Sequence, residues 1–165
     1  MTLEKLQIGA ATEQDIPLIL SFIRQLAGYE KLSNTVVATE EMLQESLFGK
    51  RPVAEVVIGR YDREPVAFAV FFHNFSTFLG RSGIYLEDLF VIPEMRGKGI
   101  GREMLTYLAR LAVERKCGRL EWAVLDWNEP AIRFYKSLGA VPMDEWTVFR
   151  LTADSLARLA ESTGC

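Results

Sequence analysis

Residues 90–102 read FVIPEMRGKGIGR: the end of an apolar strand, a turn spanning Arg96, Gly97, Lys98, Gly99, Ile100 and Gly101, then an amphipathic run from Arg102 to Lys116. Alternate glycines at a strand-to-helix junction expose several backbone N–H groups in one small concavity. The positive end of the following helix points at the same place, so the stretch is built to hold a diphosphate. Spacing excludes two common versions of such a site. A nucleoside-triphosphate loop needs Ser or Thr after Gly-Lys, and here Lys98 is followed by Gly99. A dinucleotide fingerprint needs G-x-G-x-x-G, and here the third glycine comes one position early. A plain tight turn would need glycine only for positive φ. Three glycines flanked by Arg96, Lys98 and Arg102 exceed that need.

The remainder of the chain narrows the ligand class. Its 165 residues suit one domain, 1–165, with a proper core. Net charge is −3 without blocks of like charge, which argues against sequence-independent nucleic-acid binding. No apolar run approaches a membrane span, and MTLEKLQIGAATEQD lacks a signal-peptide core, so the expectation is a cytoplasmic protein that needs no membrane. Cys117 and Cys165 stand far apart and outside any metal-ligand pattern. No metal is expected. Cys117 and Cys165 read as one buried small residue and one tail thiol. His73, the sole histidine, sits in an apolar strand and reads as a packed or hydrogen-bonded residue rather than a base.

Working outward, Leu6–Ala10 reads as a strand, and Thr12 with Asp15 as a capping pair. The spacing of Ile16, Ile19, Leu20, Ile23, Leu26 and Ala27 predicts a helix. A second helix fits Glu40–Phe48, between Thr39 and Gly49. Val53–Gly59, Val66–Phe75 and Ile84–Ile92 read as strands, with a turn over Asp62-Arg63-Glu64-Pro65. Leu120–Leu125 follows as a strand, Pro130 to Gly139 as a helix, Trp146–Leu151 as a last strand and Ala153–Ala160 as a terminal helix. This order predicts an α+β or α/β fold, one sheet covered by helices on both faces. The crossover after Ile92 makes the strands at 84–92 and 120–125 parallel neighbours.

At this point the chain resembles a known family. Arg96-Gly97-Lys98-Gly99-Ile100-Gly101 matches the R/Q-x-x-G-x-G/A signature of the GCN5-related N-acetyltransferases (GNAT). Four further segments look like its diamine branch, the spermidine/spermine and thialysine acetyltransferases: Leu26-Ala27-Gly28-Tyr29-Glu30, Tyr85-Leu86-Glu87-Asp88-Leu89-Phe90-Val91, Trp127-Asn128-Glu129-Pro130-Ala131 and Phe134-Tyr135-Lys136. The resemblance implies a mixed, mostly antiparallel sheet that splays between its two parallel strands. It implies acetyl-coenzyme A as co-substrate, with the pyrophosphate on the turn from Arg96 to Arg102 and the pantetheine arm on backbone groups of Leu89, Phe90 and Val91. Contacts of Asn128 and Ala131 with the coenzyme are implied as well, and so is a homodimer.

The carboxylates carry the acceptor chemistry. A carboxylate in a buried strand is costly unless paired, yet 84–92 holds both Glu87 and Asp88. Adjacent strand residues point to opposite faces, so the two should occupy different environments. Amines arrive protonated, with a free pKa of about 10.4 for a lysine-like group, and only the neutral form attacks a thioester. A nearby carboxylate attracts the cation and helps relay its proton away. The resemblance favours Glu87 for this role. Tyr135 keeps its phenol proton at neutral pH and suits protonation of the departing thiolate. Its plainer reading is a core aromatic beside Phe134 and Leu138. Tyr29 and Glu30, Asp88, and the loop Asp144-Glu145-Trp146 resemble the family's acceptor-binding elements.

One departure bears on the acceptor. The diamine branch has an acid before the strand at Tyr85, and here Asn74-Phe75-Ser76-Thr77-Phe78 has none. Long polyamines want several spaced carboxylates, so the missing acid counts against spermidine and spermine and leaves a shorter diamine or a lysine-like amino acid open. The expected acceptor is a primary amine of a small diamine, polyamine or lysine-like molecule. No Cys or Ser stands beside a base, which favours direct attack by the amine in a ternary complex. The alternatives are acetylation of a protein or peptide amine, and a coenzyme A-binding regulatory module without turnover.

Overall fold

The computed structural model describes residues 3–162. The chain divides into two compact units, Met1–Ala123 and Val124–Cys165. Cys165 lies outside the described residues.

The first unit is a five-stranded sheet in the order β1 (Leu6–Ala10), β2 (Glu55–Tyr61), β3 (Glu64–Ser76), β4 (Arg81–Val91), β5 (Leu120–Trp122). The first four strands pair antiparallel, and β4 pairs with β5 in parallel. The parallel pair was the expected one, but β5 stops at Trp122 rather than Leu125. Only Ile84↔Leu120, Tyr85↔Glu121 and Leu86↔Trp122 are in register. From Glu87 to Val91, β4 pairs with no strand on that side among the described residues, which is the expected splay. The β2–β3 hairpin turns on Asp62 and Arg63 alone, both at positive φ. Pro65 therefore falls inside β3, opposite Arg60, where the register shifts and a missing N–H is tolerated.

Helices cover both faces of this sheet. Thr12 and Asp15 cap a short 3₁₀ turn, the Thr12 N–H donating to Asp15 Oδ2 at 2.8 Å, and α1 (Ile16–Tyr29) follows. Its Ile19, Phe22 and Leu26 pack with Val56, Ile58, Phe68 and Phe90. Phe22 stacks on Phe68 at 5.2 Å between ring centroids. Each such ring contributes roughly 2–3 kcal/mol by leaving water. Helix α2 (Glu40–Phe48) is held by Thr39, whose hydroxyl accepts from Met42 N–H at 3.3 Å. Helix α3 (Ile100–Glu114) buries Ile100, Met104, Leu108 and Ala112, one per turn. Met104 Sδ lies 3.1 Å from where a Gly59 Cβ would stand. Gly59 and Ile58 face opposite ways, so α3 covers the face that α1 does not.

The second unit holds α4 (Glu129–Ser137) and α5 (Ala153–Glu161). The strand expected over Trp146–Leu151 is absent. The composition is strand-like, but among the described residues the segment has no ladder partner, and an extended segment without one is not a strand. Val141, Met143, Trp146, Val148, Phe149 and Leu151 are all exposed.

Candidate active site

The turn after β4 has the shape its glycines predict. Gly97 and Gly99 adopt φ of 71° and 89°, a region that side chains with a Cβ avoid. Gly99 is the N-cap of α3 and supplies no side-chain acceptor to the first turn. Among the described residues, the first-turn amides of α3 therefore meet no side-chain cap, and a Cβ at Gly97 would stand in open space. Uncapped amides at a positive helix end fit a diphosphate, and the lack of Cβ atoms lets it approach closely. Lys98 and Arg102 are exposed beside them. Arg96 is placed differently from the expectation. Its Nε–H donates to Val91 C=O at 2.9 Å, and its guanidinium lies 4.4 Å over the Tyr29 ring and 5.3 Å from Phe90. Arg96 thus ties the turn to the end of β4 and to the end of α1.

The splayed edge of β4 presents alternate residues. Ile92 N–H bonds Val66 C=O at 3.0 Å, toward β3. By alternation, Phe90 also bonds toward β3, while Leu89 and Val91 turn their backbone groups to the open edge. The Leu89 N–H and C=O and the Val91 N–H can therefore pair with an extended ligand arm, while the Val91 C=O is already taken by Arg96. Phe90 lends its ring to the core, only 3% exposed.

The acidic pair sits on an irregularity that the sequence did not announce. Val70 pairs with Asp88, but Phe71 pairs with Leu86, so Glu87 is an extra residue in β4. This β-bulge breaks strict alternation at Glu87, yet the two acids still occupy different environments. Glu87 is exposed and Asp88 half-buried. Asp88 shares the α1 face with Val70 and Val56. Burial, then the charges of Glu87 and Glu30, push the Asp88 carboxyl up to about 6. Burial also raises Glu30, the residue that ends α1. Asp88 therefore lies within the charge influence of both Glu87 and Glu30, a local negative field suited to a cation. His73 faces the other way, beside Glu55 and Arg115. Arg115 Nη2 donates to Glu55 Oε2 at 2.8 Å and holds that carboxylate below its usual range.

In the second unit, Asn128 Oδ1 accepts from Ala131 N–H at 3.4 Å and caps α4. Tyr135 is half-buried, its ring 5.5 Å from Phe134. Asp144, Glu145 and Trp146 lie in the exposed segment, where Trp146 N–H closes a turn onto Met143 C=O at 3.1 Å. Among the described residues, no three His, Cys, Asp or Glu side chains are grouped to hold a metal ion. No helix among them is long and apolar enough to cross a membrane.

The acetyltransferase (GNAT) family model matches residues 24–140. The chain belongs to the GNAT acetyltransferase family. As a GNAT acetyltransferase it is an enzyme, and its relatives bear out the diamine branch. It is 38% identical to the thialysine N-epsilon-acetyltransferase of Bos taurus over 164 residues, 93% of this chain and 96% of that one. It is 32% identical to the L-ornithine N5-acetyltransferase of Arabidopsis thaliana, covering 91% and 86%. Among solved structures, an integron cassette protein from the V. cholerae mobile metagenome superposes with a TM-score of 0.81 at 26% identity, covering 96% and 99%. An aminoglycoside acetyltransferase from an uncultured soil metagenomic sample shares the fold, with a TM-score of 0.78 at 19% identity, covering 93% and 100%.

Sequence reasoning missed the bulge and one more polar group on the same sheet. Glu121 of β5 accepts from Asn74 Nδ2 at 2.8 Å. The signal available in the sequence is an acid within the β-former run Leu120–Leu125.

Proposed function

We propose that residues 1–165 form one acetyl-CoA-dependent N-acetyltransferase domain. Its acceptor is the primary amine of a small diamine or a basic amino acid. The observation that carries this reading is the β4 segment itself, where a bulge bearing Glu87 and Asp88 leads within ten residues into an uncapped glycine turn. One part suits a cation and the other a diphosphate. Relatives that act on thialysine and on L-ornithine support the acceptor class.

The amine nitrogen attacks the acetyl carbonyl carbon, and the carbon–sulfur bond breaks as the amide forms. Glu87 and Asp88 draw the ammonium in, and Glu87, exposed to solvent, passes its proton to water. Tyr135 gives its phenol proton to the departing thiolate and regains one from the nitrogen, which sheds its second proton as the amide forms. The amides after Gly99 hold the pyrophosphate, with Lys98 and Arg102 adding charge, and the open backbone groups of Leu89 with the Val91 N–H hold the pantetheine. The α1 end at Tyr29 and Glu30 borders the acceptor. The exposed apolar residues between Val141 and Leu151 support a homodimer.

The test is thiol release from acetyl-CoA by the purified chain, run with thialysine, lysine, ornithine, short diamines and a lysine-containing peptide. Release with the small amines is expected. Release with the peptide alone would move the acceptor class to proteins. Coenzyme binding without release on any amine would leave a regulatory module.

A further inference from the structure

The bulge sets a second polar cluster on the acceptor face. On β3, Val70, Phe72 and Asn74 alternate onto the side of Asp88, away from Phe71 and His73. Phe72 pairs with Tyr85, their rings 5.2 Å apart, and Tyr85 pairs in turn with Glu121. Asn74, Tyr85 and Glu121 therefore share a face with Asp88. Arg119 joins them, its Nε 2.8 Å from the same Glu121 oxygen that Asn74 reaches. The cluster is incompletely satisfied. Among the described residues, Asn74 Oδ1 is enclosed with no donor, and the Arg119 Nε–H is an ion-pair neighbour of Glu121 without hydrogen-bond geometry. Gly83 makes the arrangement possible, since a Cβ there would stand 2.5 Å from Asn74 Oδ1 and 2.9 Å from Arg119 Cγ.

We infer that Arg119, Glu121 and Asn74 form the subsite for the amino-acid end of the acceptor, with Glu121 taking an α-ammonium and Arg119 an α-carboxylate. This rests on the acetyl-transfer reading given above and sharpens its substrate class. A carboxylate and a guanidinium side by side match a zwitterionic head in charge and spacing. Arg119 meets Glu121 through Nε, which leaves the Nη fork directed elsewhere. The distance fits as well. Asp88 and Glu121 are separated by one strand spacing and three residue steps along β4, about 9–11 Å between Cα atoms. An extended chain of three or four methylenes before the α-carbon holds its two nitrogens about 6–8 Å apart, which leaves room for one contact at each end. The acid that Asn74–Phe78 lacks is supplied from β5, already bonded to Asn74. It comes with an arginine that a plain polyamine would not want.

The experiment compares kcat/KM for two matched pairs, lysine with cadaverine and ornithine with putrescine. These pairs differ only by the α-carboxylate. The amino acid is expected to be preferred within each pair. Arg119→Met is expected to lower that preference about tenfold or more, the scale of one lost charge-assisted contact. Arg119→Lys, which keeps the charge without the fork, should fall between, and it carries the test if Arg119→Met does not fold. Glu121→Gln should raise KM for both members of each pair, since each presents an ammonium there. An unchanged preference in both Arg119 variants, with turnover intact, overturns the subsite and leaves the acetyltransferase reading standing. No turnover of any amine by the wild-type chain overturns both.

Discussion

The glycine turn and the β4 bulge lie within ten residues of one another, yet their information is stored differently. The turn is local. Gly97 and Gly99 stand at positive φ because their own neighbours require it, and the string of glycines announces as much. The bulge is a relation between two strands. Glu87 becomes an extra residue only because Val70 meets Asp88 while Phe71 meets Leu86. The turn offers amides that suit any diphosphate, whereas the bulged strand offers acids whose facing depends on register. On the proposed reading, donor recognition stays generic while acceptor recognition varies with how the strands meet.

Variants can break this comparison at several points. The largest effect belongs to neither region. Tyr135→Phe removes the proposed proton donor and should lower kcat about 100-fold with little change in coenzyme affinity. A rate within a factor of about two of wild type would remove Tyr135 from the mechanism, since general-acid groups contribute far more. Next is the turn. Gly99→Val forces a β-branched residue to positive φ and sets a Cβ 3.2 Å from Leu3 Cδ1. Calorimetry should show acetyl-CoA binding weakened about 10-fold or more, the scale of about 1–2 kcal/mol of backbone strain. Unchanged binding would place the coenzyme elsewhere.

Asp88→Asn probes the bulge through stability. The folded carboxyl titrates near 6, above its unfolded value of 3.8. The stability tied to its proton is therefore present below pH 3.8 and lost as pH rises through 6. At pH 7 Asp88→Asn should stabilise the chain by about 1–2 kcal/mol, after discount for partial exposure, and the difference from wild type should vanish below about pH 4. Urea midpoints across that range give the answer, and a pH-independent difference would mean Asp88 is not shielded. The smallest effect is a control on α2. Thr39→Ala loses the bond to Met42 and should cost about 1 kcal/mol in urea, with both Michaelis constants unmoved.

Much of the fold was legible because its signals are local. Thr39 and Gly49 bracket α2 at its observed ends, and the period of Ile16 to Ala27 gives the buried side of α1. The crossover rule gave the parallel neighbour of β4. What escaped depends on partners distant in sequence. Trp146–Leu151 has the composition of a strand, but a strand exists only in a ladder, and no residue in the segment states whether one is available. Within the candidate site, the glycines and the acids were visible as residue types. The tie of Arg96 to Val91 and Tyr29, and the shielding of Asp88 beside Glu30, required the sheet to be assembled first. Glu121 was overlooked because its partner Asn74 lies 47 positions away.

The central claim is that the turn reads the donor and the bulged strand reads a cationic acceptor. An initial-rate grid with acetyl-CoA and ornithine both varied, comparing wild type with Glu87→Gln, tests it directly. The account predicts a rise in the ornithine KM of about tenfold, the scale of one lost charge contact, with the acetyl-CoA KM unmoved. A rise confined to the acetyl-CoA KM would contradict it.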